Sequence, residues 1–99
     1  MTHTDLINTE KVIMVEFFAS WCPHCKRMMP IVEEVKEVVG GRAAVEQLDI
    51  DENQDAAAEA EVQSVPTFII YRDGKETDRI SGEVSGDVLI EKIEKAINA

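Results

Sequence analysis

Val12-Ile13-Met14-Val15-Glu16-Phe17-Phe18-Ala19-Ser20-Trp21-Cys22-Pro23-His24-Cys25 runs from a nearly continuous apolar segment into two cysteines three positions apart. Residues 12–18 read as a strand covered on both faces, because a strand with one wet face would alternate. Residues 22–39 read as a helix. Met28, Ile31, Val35 and Val38 fall at helical spacing on its expected inner face, and Gly40-Gly41 stops it. Pro30 kinks that helix, because it has no N–H to give residue 26. The cysteines thus sit at a strand-to-helix junction. There, free N–H groups and the positive helix end favour a thiolate, and residues three apart can bridge. Cys22 is the candidate nucleophile and Cys25, one turn deeper, the resolving thiol. Attack on a substrate disulfide by the first gives a mixed disulfide that the second breaks. Pro23 lies in the first turn, where its missing N–H is harmless.

Outward from this segment, residues 43–50 form a weaker strand and 53–60 a short helix. Residues 67–72 form a second apolar strand, joined by a turn at Asp73-Gly74 to an antiparallel partner over 75–80. Ser85 caps a last helix whose inner face is Leu89, Ile93, Ala96 and Ile97. The order β-α-β-α-β-β-α predicts an α/β fold: one mixed sheet with helices on both faces. At 99 residues and 44% hydrophobic, the sequence reads as a single domain over 1–99. Twenty acidic against ten basic residues give a net charge of −10, which disfavours nucleic acid and anionic membranes as partners. No segment is apolar for long enough to span a membrane. Met1-Thr2-His3-Thr4-Asp5 does not read as a signal peptide, so the expected location is cytoplasmic. The six carboxylates from Asp49 to Glu61, with no Lys or Arg among them, read as a solvated acidic face.

Two cysteines are too few for a disulfide scaffold, and a bridge across so small a loop is a poor staple. One C-x-x-C supplies only two of the four ligands zinc prefers, and spacing does not pair His24 with His3 to complete a set, so no metal is expected. No nucleotide-binding glycine motif is present, so no cofactor is expected beyond the Cys22–Cys25 disulfide itself.

Several separated stretches together resemble the thioredoxin family over about residues 10–98. They are Phe17-Phe18-Ala19-Ser20-Trp21-Cys22, Pro30 within the active-site helix, Val65-Pro66-Thr67, Asp73-Gly74 and Gly82. The resemblance implies a thioredoxin-like fold and a protein disulfide reductase serving electron transport and redox homeostasis. Its partners would be disulfide-containing proteins and a flavoprotein reductase, and it would act as a monomer. It also implies a cis bond at Pro66, which a generic X-Pro bond seldom adopts, with Val65 offering its backbone to a substrate chain. Trp21, Val65 and Gly82 would then form an apolar docking surface.

The sequence departs from the family pattern at four places. Only about ten residues precede the first strand, so the family's N-terminal strand is missing or shortened. Leu6 and Ile7 are left on a short turn of helix after Thr4. The 43–50 strand then becomes a sheet edge guarded by Glu46 and Asp49. Glu16 stands where the family usually has Asp. It reads either as a carboxylate reaching solvent or as a buried acid with a raised pKa serving Cys25. Gln47 stands where a Lys often faces that acid, which favours the neutral form. The Pro23-His24 dipeptide resembles that of DsbA-type disulfide oxidases. His24 is either a solvated imidazole or a donor that stabilises the Cys22 thiolate and makes the pair more oxidising. The alternatives to a reductase are therefore an oxidase or isomerase, or a binding module with little turnover. Lys26 and Arg27 read as solvated helix residues.

Overall fold

The computed structural model describes residues 2–99. Met1, first of the residues read above for targeting, lies outside them. The elements are α1 (His3–Ile7), β1 (Val12–Phe18), α2 (Pro23–Val39), β2 (Ala44–Asp49), α3 (Gln54–Glu59), β3 (Thr67–Arg72), β4 (Lys75–Ser81) and α4 (Gly86–Ile97), with a 3₁₀ turn over Gly40–Arg42. The sheet order is β2-β1-β3-β4. β1 runs parallel to β2 and antiparallel to β3, and β3 and β4 form the hairpin. The expected mixed sheet is present. Among the described residues no strand precedes β1, which leaves β2 at an edge.

Side-chain alternation in β1 splits the core in two. Val12 and Met14 face α2 and α4, packing with Met28, Val32, Val35, Phe68, Leu89 and Ile93. Ile13, Val15 and Phe17 face the other way, with Ile69 and Tyr71, towards α1 and α3. Glu16 shares the parity of Val12 and Met14, so it points to the α2 side, where the cysteines lie.

Three expectations are corrected. The buried stripe of α2 is Cys25, Met28, Val32, Val35 and Val39, while Val38 is 55% exposed and Ile31 only half-buried. Steps of 3-4-3 and 4-3-4 fit a 3.6 period equally well, and contact with the sheet selects the second. The first helix is capped by Thr2 rather than entered after Thr4. Thr2 and Asp5 form a reciprocal capping box, with Thr2 Oγ1 accepting from Asp5 N–H at 3.1 Å. Helix α2 begins at Pro23, with Cys22 as its cap. Asp49, at the end of the edge strand β2, accepts the Asp51 N–H on its carboxylate at 2.8 Å. Glu46 on the same strand is exposed.

The β3–β4 turn is tight because Asp73 (φ 51°) and Gly74 (φ 78°) both adopt the left-handed conformation that suits a two-residue hairpin. His3 packs across Phe17 and Tyr71 and fastens α1 to the sheet. No helix among the described residues is long and apolar enough to cross a membrane.

Candidate active site

The end of β1 and the start of α2 bring the two cysteines together, both free thiols and both only 3% exposed. Cys22 occupies the N-cap of α2 with an extended backbone (φ −89°, ψ 114°). Its Sγ accepts the Cys25 N–H at 3.3 Å, so the sulfur does the work usually given to a Ser or Asp oxygen. Pro23 opens the helix without removing a needed donor. On its outer side, Cys22 Sγ lies 3.8 Å from the Val65 carbonyl oxygen. Val65 is half-buried, Pro66 is buried, and the peptide between them is cis. Burial pushes the Cys25 thiol up, reinforced by the hydrogen bond and charge of Cys22 and weakened by the Ala19 backbone. Cys25 therefore keeps its proton, and of the two only Cys22 lines the groove beside Trp21.

Glu16 does not reach bulk solvent. It is 1% exposed, and its Oε1 accepts from Gln47 Nε2 at 2.9 Å across the β1–β2 register. Burial raises its pKa, partly offset by the Gln47 hydrogen bond. Glu16 and Cys25 line one cavity of about 260 Å³ with Phe18, Lys26, Met29 and Gln47. A buried acid and the deeper thiol thus share one solvent-sized space.

Trp21 is 63% exposed, and its indole N–H donates to Asp51 Oδ2 at 3.0 Å. Beside it runs a groove of about 390 Å³ lined by Trp21, Cys22, Pro23, Ile50, Val62 and Val65, among others. This groove brings Trp21 and Val65 together, and Gly82 is not among the residues that line it. Instead, the Gly82 N–H donates to the Pro66 carbonyl at 2.8 Å, with Gly82 at φ 89°, and braces the proline loop from the end of β4.

The expectation that Arg27 is merely solvated is corrected. Its Nε and Nη2 each donate to Glu83 at 3.0 Å, a bidentate pair. His24 joins them, with Nδ1 2.7 Å from Glu83 Oε2 and 2.9 Å from Arg27 Nη2. Glu83 is pulled down to about 2, first by Arg27 and then by His24. His24 makes no hydrogen bond to Cys22, whose sulfur is engaged with Cys25 and Val65. Sequence reasoning missed Glu83 and Asp51. The only signal for Glu83 was its place directly after Gly82. Among the described residues no group of three or more His, Cys, Asp or Glu side chains gathers as for a metal.

The thioredoxin family pattern matches residues 2–95. A thioredoxin from Staphylococcus saprophyticus is 42% identical over 84 residues, covering 85% of this chain and 81% of that protein. A chloroplastic thioredoxin Y from Oryza sativa is 36% identical over 92 residues, which is 93% of this chain. The chain spans only 55% of that relative's length. Among solved structures, a thioredoxin from Halobacterium salinarum superposes with a TM-score of 0.86 at 33% identity, covering 95% of this chain and 81% of that one. One from Fasciola hepatica gives 0.83 at 37% identity, covering 93% and 88%. With the capped Cys-Pro-His-Cys turn, the cis-proline loop beside it and the mixed sheet beneath, these likenesses identify the chain as a member of the thioredoxin family.

Proposed function

We propose that this protein is a thiol–disulfide oxidoreductase that reduces protein disulfides. The observation that carries the reading is Cys22 Sγ at the cap of α2, held by the Cys25 N–H and facing the Val65 carbonyl. The Cys22 thiolate attacks one sulfur of a substrate disulfide, forming a mixed disulfide and releasing the other sulfur as a thiolate that takes up a proton. Cys25 then loses its proton and attacks Cys22 Sγ. The substrate leaves with both sulfurs reduced, and the protein is left with a Cys22–Cys25 disulfide. Two electrons pass from the pair to the substrate.

Glu16 takes the Cys25 proton across the cavity they share, and its raised pKa makes it a better base than an ordinary carboxylate. The cis loop offers Val65 backbone groups to an extended substrate segment, and the Trp21 groove receives its apolar side chains. Such backbone pairing asks for little sequence preference, which suits a general reductant. No cofactor or metal enters the cycle. A flavoprotein reductase returns the two electrons, and the protein works as a monomeric domain in a reducing cytoplasm. An oxidising role through His24 has less support, because its ring nitrogen is engaged with Glu83.

The test is reduction of insulin disulfides with dithiothreitol as electron donor. The wild-type protein accelerates the reaction, and Cys22→Ser abolishes the acceleration. A Cys22→Ser protein that still accelerates it would overturn the assignment of Cys22.

A further inference from the structure

The Glu83 carboxylate touches none of the reacting sulfurs, yet it gathers His24 and Arg27, two of the three cationic or cationisable side chains of the first α2 turns. Arg27 is held through two 3.0 Å hydrogen bonds, and His24 through a 2.7 Å contact at Nδ1. All three side chains are 41–60% exposed, so the cluster packs against no core that would hold it otherwise. His24 directly follows Pro23, and an imidazole there that turned to Cys22 would stabilise its thiolate and so the reduced form. Arg27 is near enough for the Cys22 charge to contribute, last after Glu83, to its raised pKa. In this structure both are engaged by one carboxylate that stays ionised far below neutral pH.

We infer that Glu83 is a positioning residue that engages His24 and Arg27 in place of the Cys22 sulfur and so keeps the Cys22–Cys25 couple more reducing than its Pro-His dipeptide alone would make it. The inference rests on the reading of the pair as a reversible redox couple. It turns an apparent contradiction, an oxidase-like dipeptide in a reductase-like body, into an arrangement in which one residue at the end of β4 offsets the dipeptide. Glu83 follows the glycine that braces the proline loop, so the same short segment sets both sides of the nucleophile.

The test is equilibration of each protein in graded reduced and oxidised glutathione, read by Trp21 fluorescence. In this exchange two glutathione thiols become one glutathione disulfide as the Cys22–Cys25 disulfide becomes two thiols. Glu83→Gln keeps the shape and removes the charge. It is expected to move the equilibrium roughly threefold to fivefold towards the dithiol, a potential about 15–20 mV higher. In a His24→Gln background the shift shrinks, because one of the two released groups is already gone. Coincident curves for wild type and Glu83→Gln, a lower potential, or equal shifts in both backgrounds would overturn the role of Glu83 acting through His24. If the wild-type pair forms no reversible disulfide in glutathione, the oxidoreductase reading fails instead, and the two failures are distinct.

Discussion

Replacing Glu16 with Gln should make the protein more stable at neutral pH, and the gain should vanish in acid. The carboxylate is 1% exposed and accepts one hydrogen bond of 2.9 Å from a neutral amide. Such a bond stabilises by about 1 kcal/mol net, whereas an ionised carboxylate held in a buried site costs several kcal/mol. The balance is a penalty on the order of 1–3 kcal/mol for the charged form. Glu16→Gln removes the charge and keeps an oxygen for Gln47. The sign is set by the raised pKa. Below the pKa of the unfolded chain, Glu16 is neutral in both states and carries no penalty. As pH rises above that value the native state holds more protons than the unfolded one, and stability falls until the native group has also ionised. Urea unfolding of both reduced proteins at about pH 4 and about pH 7.5 isolates this difference, because every other carboxylate is shared. A stability difference that is the same at both pH values, or a less stable variant at neutral pH, would refute the argument. The same substitution should slow resolution by Cys25, since an amide cannot take its proton.

Cys25→Ser should accumulate a mixed disulfide between Cys22 and a target protein, seen as a thiol-sensitive band on a non-reducing gel, because nothing remains to attack Cys22 Sγ. Arg72→Met should destabilise by about 1 kcal/mol in denaturant unfolding, since Arg72 Nη1 caps the last turn of α4 by donating to the Ala96 and Ile97 carbonyls. Phe68→Ala, at a fully buried position between β3 and the α2–α4 layer, should lower stability by about 3–5 kcal/mol, with a large drop in melting temperature as the readout.

The centre of the sheet was legible because β1 and β3 are buried on both faces, and Val12 to Phe18 and Thr67 to Arg72 carry that in composition alone. The helix face of α2 was less so. Ile31 and Val38 satisfy the helical period as well as Val32 and Val39 do, and only the position of the sheet decides between them. Likewise, either Thr2 or Thr4 has the oxygen a cap needs, and the reciprocal Asp5 contact selects Thr2. At the site, the cysteine spacing announced the chemistry. The cluster on Glu83 did not show in the sequence, because 59 residues separate it from His24 and only the folded loop after β4 closes that gap. The fate of Glu16, solvent or interior, hung on strand parity, which places it with Val12 and Met14 beneath the active-site helix.

The use of Cys22 as a helix cap has a bearing on the redox cycle. The lone pairs that receive the Cys25 amide are on the atom that must bond to sulfur during turnover. A thiolate is a strong acceptor, and a sulfur in a disulfide is a weak one. Oxidation of the pair should therefore weaken this cap, and reduction should restore it. Hydrogen exchange at the Cys25 amide, compared between the dithiol and disulfide forms, would read this difference, with faster exchange expected in the disulfide form.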